Sequence, residues 1–202
     1  MNQRRIGLTG GIASGKSSVG RLLAARGLPV LDADAYAREA LAPGSPGARA
    51  VLDRFGAPVA AGDDPEGAAV IDRAALGRIV FSDAAARAWL EGLVHPLVRQ
   101  RFAVELEQLA GAPAVVLMIP LLYETGLENL CSEVWLVDCD EQQQLQRLIG
   151  RDGLSPDAAR ARIAAQWPLA RKRALADVLI DNRGTPEQLA AQLKGLNPAA
   201  SG

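Results

Sequence analysis

Aromatic residues are scarce in this sequence, 4% of 202 positions, so Leu, Val, Ile and Ala must fill whatever core it forms. Histidine is scarcer still: the single one, His95, excludes a metal centre built on several imidazoles. The two cysteines, Cys131 and Cys139, are too few for a disulfide framework and match no zinc-ligand spacing. Both are expected to be reduced, buried thiols. No apolar run reaches the ~18–20 residues of a membrane span. The opening Met-Asn-Gln-Arg-Arg leads into a strand-like segment and lacks the apolar core of a signal peptide. A formal net charge of −1 leaves no global excess of either sign, so neither nucleic acid nor an anionic membrane is indicated as a partner. Together these absences describe a cytoplasmic protein.

Hydrophobic residues, 49% of the chain, are enough for a sizeable core, and the length suits one globular domain with one or two small insertions. The start reads strand, loop, helix. Arg5–Thr9 is short and apolar, and 10–15 is glycine-rich. Ser17–Arg26 has helical spacing, with Leu22 and Leu23 toward a sheet and Gly27 at the C′ position. Pro29–Asp32 is a second strand. Ala114–Ile119 and Glu133–Asp138 are nearly continuous apolar runs, as expected of strands buried on both faces. Glu141–Arg151 reads as a helix with Leu145, Leu148 and Ile149 on one face. Ser155-Pro156 and Thr185-Pro186 each read as an N-cap followed by proline at the first helical position, the first helix reaching about Gln166. Val178–Asp181 is a last strand, and the tail from Asn197 is expected to fray.

Alternating strands and helices imply a parallel α/β sheet. The stretch Tyr36–Gln108 breaks the alternation and reads as helices joined by Pro/Gly-rich turns, with His95-Pro96 between two helical stretches and Ala57–Val70 as an exposed loop. The expected organisation is an α/β P-loop NTPase core (1–35, 109–139, 174–202) with a parallel sheet flanked by helices. A helical substrate insertion (36–108) and a helical lid (140–173) complete it.

The strongest chemical signal is Gly10-Gly11-Ile12-Ala13-Ser14-Gly15-Lys16-Ser17, which fits G-x-x-x-x-G-K-[ST] between a strand and a helix. Glycines let successive N–H groups turn inward on an anion, and the following helix adds the positive end of its dipole. Residues Gly11, Ile12, Ala13, Ser14, Gly15, Lys16, Ser17 and Ser18 are therefore expected to bind ATP, Lys16 on the β- and γ-phosphates and the Ser17 hydroxyl on Mg²⁺.

Asp32 and Asp34 follow the second strand, at the carboxyl edge where ligands of open α/β sheets bind. One can orient an acceptor hydroxyl and the other organise the metal's water shell; turn-forming aspartates that cap the next helix read equally well on spacing alone. Arginines crowd the lid: Arg147, Arg151, Arg160, Arg162, Arg171 and Arg173, with Lys172. Arg147 and Arg151, at i and i+4, share a face and are favoured for phosphate contact. Pro120-Leu121-Leu122-Tyr123-Glu124 also lies past a strand end; the Glu124 carboxylate there suits a substrate amine or an arginine.

These motifs, in this order and from Ile6 to about Gly184, resemble the dephospho-CoA kinase family. The matching elements are Leu8–Ser17, Val30–Asp34 with Ala37-Arg38, Leu93–Pro96, Ile119–Glu124, Gln144-Leu145 with Arg147 and Arg151, Arg162–Gln166, and Ala176-Asp177 with Ile180–Asn182. The resemblance implies transfer of the ATP γ-phosphate to the ribose 3′-hydroxyl of 3′-dephospho-CoA, by a monomer or weak homo-oligomer. It implies Asp34 as acceptor-side base, Arg38, His95, Leu121, Tyr123 and Glu124 on the substrate side, Lys16 and Arg147 as catalytic, Arg151 on the phosphates and Asn182 near the adenine.

The chain departs from the pattern at Ala13, where glycine is usual, at Ser18, where threonine is common, and at Val178, where an acid is often found. Alanine at 13 must either hold negative φ or accept strain. A kinase for a nucleoside or nucleoside monophosphate is the alternative. A guanine-nucleotide switch is excluded by the lack of Asn-Lys-x-Asp.

Overall fold

The computed structural model describes residues 3–63 and 68–196. In chain order the elements are β1 (Arg4–Gly10), α1 (Lys16–Ala24), β2 (Val30–Asp32), α2 (Ala33–Ala40), α3 (Pro46–Phe55), β3 (Ala60–Asp63), β4 (Ala69–Ile71) and α4 (Arg73–Ser82). They continue with α5 (Ala84–Gln108), β5 (Ala114–Met118), β6 (Glu133–Asp138), α6 (Glu141–Asp152), α7 (Pro156–Ala164), α8 (Leu169–Arg173), β7 (Val178–Asp181) and α9 (Pro186–Gly195). They form two compact units, one of residues up to Asp32 together with those from Leu106 on, the other Ala33–Glu105.

In the first unit β1 is the central strand, and that explains its composition. Ile6 and Leu8 on one face are fully buried, and the other face is as tightly covered. The sheet order is β2-β5-β1-β6-β7, and all pairs are parallel. Val115, Val116 and Leu117 of β5 and Leu136 and Val137 of β6 have no exposed surface, as a sheet covered on both faces requires. Helix α1 buries Val19 and Leu23 against this core, with Leu22 packed at its margin. It closes with Leu28 N–H on Leu23 O and Gly27 N–H on Ala24 O, the paired bonds expected with Gly27 at C′. Because every strand runs the same way, the loops after β1, β5, β6 and β7 gather at one sheet edge.

The expected strands and caps are present. Ser155 accepts from Ala158 N at 3.3 Å, and Thr185 and Gln188 form a reciprocal box at the start of α9. In α6, Leu148 and Gln144 are the buried residues, while Leu145 and Ile149 are only half-buried. The buried face is thus rotated by one position from the expected Leu145/Leu148/Ile149 stripe.

Two expectations for the second unit are corrected. The described residues of Ala57–Val70, expected as an exposed loop, hold regular structure instead. Ala57–Val59 makes a 3-10 turn with Val59 buried, and β3 pairs antiparallel with β4, Ala60 opposite Ile71. Of that stretch, 64–67 lie outside the described residues, as does the tail from Asn197. Nor does His95-Pro96 separate two helices: α5 runs through it without a break. Proline forfeits one backbone bond in a helix interior. Here Val94, Val98, Phe102 and Leu106, spaced by four, form one buried stripe that carries the helix across. Within the same unit Phe102 meets Tyr36 edge to face, with ring centroids 5.1 Å apart.

Candidate active site

The phosphate loop begins where β1 ends. Gly10 closes the strand, Ser14 N–H turns back to Gly11 O at 3.1 Å, and Lys16 opens α1. Gly15, the residue before the helix, takes φ 95°, which a side chain would resist, and it offers no side-chain cap to the first-turn N–H groups. Of that first turn, Ser18 N–H turns back to Gly15 O at 2.9 Å. Ala13 stands at φ 58°, so of the two alternatives open for this departure from glycine the chain has taken strain. The loop walls a cavity of about 610 Å³ with Lys16, Ser17, Ser18, Arg21, Arg147 and Arg151. Its charged lining is entirely cationic, and Ser17 is exposed within it.

Arg147, halfway along α6, is aimed at this loop. Its Nη1 donates to the carbonyls of Ala13 and Ser14, each at 3.3 Å, and its Nη2 to Asn182 O at 2.9 Å. Asn182, just past β7, donates its own side-chain amide to Ser14 O at 2.7 Å. The residue expected near the adenine is therefore bound to the phosphate loop. Arg151 lines the same cavity one helical turn on, with its guanidinium on the neighbouring Asp152 carboxylate at 2.6 and 2.9 Å. That hydrogen bond, with Arg162 3.5 Å from the same carboxylate, holds Asp152 below the usual carboxylate range.

Four polar residues that sequence reasoning did not place in the site make inward bonds from 140–173, two of them to the loop. Gln144 donates to Ile12 O at 2.6 Å, and Ile12 N–H donates to Gln166 Oε1 at 2.8 Å. Lys172 is fully buried, with its ammonium 2.7 Å from Glu124. Arg173 bonds Asp138 at the end of β6, at 2.8 Å. Glu124, expected to meet a substrate amine or an arginine, thus meets a lysine and also accepts from Trp167 N–H at 3.0 Å.

Tyr123 stacks on Trp167, rings parallel with centroids 6.4 Å apart, and Arg171 lies over the same indole at 3.2 Å. Burial, with Asp177 and Glu128 nearby, pushes the Tyr123 phenol up to about 12. Leu121 is half-buried, and its carbonyl accepts from Thr125. The two thiols are free; Cys139 is buried and Cys131 half-buried.

The remaining expected residues belong to the second unit. Asp34 and Arg38 are exposed on α2, at i and i+4 on one face, with Tyr36 buried on another. His95 is half-buried inside α5. Among the described residues no three His, Cys, Asp or Glu side chains cluster as a metal site would need, and no helix is long and apolar enough to cross a membrane.

A strand, a phosphate loop, a helix and a cationic cavity specify a P-loop nucleotide site. What lies around it decides the family. A family model described as dephospho-CoA kinase matches residues 4–188. The chain belongs to the dephospho-CoA kinase family. It is 64% identical to the dephospho-CoA kinase of Synechococcus sp. (strain CC9605), over 98% of this chain and 96% of that one. A solved Thermus thermophilus protein superposes with a TM-score of 0.81 at 38% identity, covering 96% of both chains. The dephospho-CoA kinase from Campylobacter jejuni does so with 0.68 at 27%, covering 95% of both. As a member of the dephospho-CoA kinase family the chain is an ATP-dependent phosphotransferase with a P-loop kinase core.

Proposed function

We propose that the chain transfers the γ-phosphoryl group of ATP to the ribose 3′-hydroxyl of 3′-dephospho-CoA, giving CoA and ADP. The observation that carries the reading is the cationic cavity at the phosphate loop, in a chain whose family membership extends over nearly its whole length.

In this reading the loop amides and the α1 N-terminus bind the β-phosphate, and Lys16 neutralises charge on the bridging and γ-oxygens as the bond to the β-phosphate breaks. The Ser17 hydroxyl, exposed in the cavity, suits Mg²⁺, which prefers hard oxygen ligands and takes few from protein when phosphates supply the rest. When bound, that ion supplies charge neutralisation between the phosphates. Asp34 accepts the proton of the 3′-hydroxyl as its oxygen attacks phosphorus. Arg38 and His95 serve the acceptor, as the resemblance implies. Arg147 and Arg151 give the cavity its positive wall, Arg147 while gripping the loop. Glu124, Tyr123 and Leu121 act from the loop after β5, where Glu124's bonds to Lys172 and Trp167 suit it to holding the site's shape. A cytoplasmic location fits the chemistry of the substrates.

Coupled ADP release with Mg²⁺-ATP tests this against a panel of acceptors. ADP formation with 3′-dephospho-CoA, and little with adenosine, AMP or no acceptor, supports the reading. Turnover confined to adenosine or AMP would move the chain to another kinase specificity.

A further inference from the structure

The geometry points to Gln144 and Gln166 as positioning residues that clamp the two peptide groups flanking Ile12 and thereby hold the phosphate loop in its strained, ATP-binding shape. Four backbone groups of the three residues 12–14 are taken up by side chains. Ile12 N–H donates to Gln166, Ile12 C=O accepts from Gln144, Ala13 C=O accepts from Arg147, and Ser14 C=O accepts from Arg147 and Asn182. The residue they bracket is Ala13, at φ 58°. A non-glycine residue in that region costs roughly 1–2 kcal/mol and persists only where its surroundings over-determine it. Gln144 and Arg147 supply that determination on either side.

The clamp is built into the core. Gln144 is 2% exposed, an uncommon position for an uncharged amide without a structural task. It lies so close to Gly11 that a Cβ there would collide with its amide nitrogen. Gln166 is fixed through its neighbour, since Trp167 N–H is held by Glu124 and the indole lies parallel to Tyr123 with Arg171 over its ring. The Ile12 N–H is thus committed to Gln166 and the Ser14 N–H to Gly11 O, so neither is left for phosphate.

The two glutamines have opposite hydrogen-bond polarity, and their partners fix it: a backbone N–H only donates and a backbone C=O only accepts. Gln166 therefore must accept and Gln144 must donate. A carboxylate can replace the first and cannot replace the second.

The test uses ATP binding by calorimetry alongside kcat and KM for ATP, so it is independent of which acceptor is correct. At position 166, Q166L loses ATP affinity by about tenfold or more, one buried hydrogen bond, and Q166E restores most of it. At position 144, Q144L loses a similar factor, and Q144E restores nothing and falls further, because a carboxylate then faces a carbonyl. Equal behaviour of the two glutamates, both rescuing or both failing, would overturn the clamp. Should Q144E not fold, Q144L is compared with and without A13G. Glycine at 13 removes the strain that the clamp holds, so the double variant regains part of the lost ATP affinity. No recovery would contradict the proposal.

Discussion

Lys172, without exposed surface, places its ammonium 2.7 Å from the Glu124 carboxylate, and the pair joins α8 to the loop after β5. Such a pair adds little net stability over a well-packed apolar pair, yet removing one member strands the other charge. Lys172→Met should therefore cost about 3–5 kcal/mol in urea unfolding. The double substitution with Glu124→Leu should recover most of it. A single substitution that costs under about 1 kcal/mol would mean that water reaches the pair.

Arg147 spans three carbonyls with one planar guanidinium, a fork whose geometry the compact ammonium of lysine does not reproduce. Arg147→Lys should lower kcat/KM for ATP by about 10- to 100-fold, the loss of one to two hydrogen bonds to a charged donor, although the charge is kept. Steady-state kinetics at saturating acceptor checks this. A change below about threefold would show that charge alone matters at this position.

Ala13 sets a stability prediction of its own. Glycine there relieves the strain at φ 58° and adds freedom to the unfolded chain, so Ala13→Gly should fall within about 1 kcal/mol of the parent, on the stabilising side. Ala13→Val, β-branched at positive φ, should lose about 2 kcal/mol or more. Thermal unfolding of both variants distinguishes them.

The thiols give a pH dependence. Burial pushes Cys139 up to about 11 and Cys131 up to about 12. In the unfolded chain both ionise near about 8.5. Above that pH the unfolded state binds fewer protons than the folded state, so stability falls as pH rises from about 8.5 toward the raised values, and these two groups contribute no slope below it. The folded protein should accordingly react with iodoacetamide at pH 8 about 100-fold more slowly than the protein in denaturant. Equal rates would place the thiols in solvent.

Asp34→Asn should reduce kcat by about 100-fold or more with ATP affinity retained, since a group that serves the acceptor does not hold the nucleotide. An equally steep fall in ATP affinity would move Asp34 to the metal. Lys16→Ala should nearly abolish transfer.

The core sheet was legible because β5 and β6 are buried on both faces and so read as nearly continuous apolar runs. The phosphate loop was legible because its function demands a fixed spacing over eight residues. Gln144 and Gln166 were not, although both sit inside segments that resemble the family. Their partner Ile12 lies 132 and 154 positions away, and an uncharged amide carries no signal of what it bonds. Lys172 looked like one more basic residue of the lid; its burial is decided by Glu124, remote in sequence. The β3–β4 pair was hidden by glycine and aspartate in β3, which weigh against strand formation, although Val59 and Ile71 at its margins are buried.

The most direct test of the central claim is product identity. Purified protein with Mg²⁺-ATP and 3′-dephospho-CoA should yield, by mass and chromatography, a product with one added phosphate that co-elutes with authentic CoA. The 3′-deoxy analogue should remain unmodified. Phosphate transfer to that analogue, or a product distinct from CoA, would contradict assignment of the ribose 3′-hydroxyl as the acceptor.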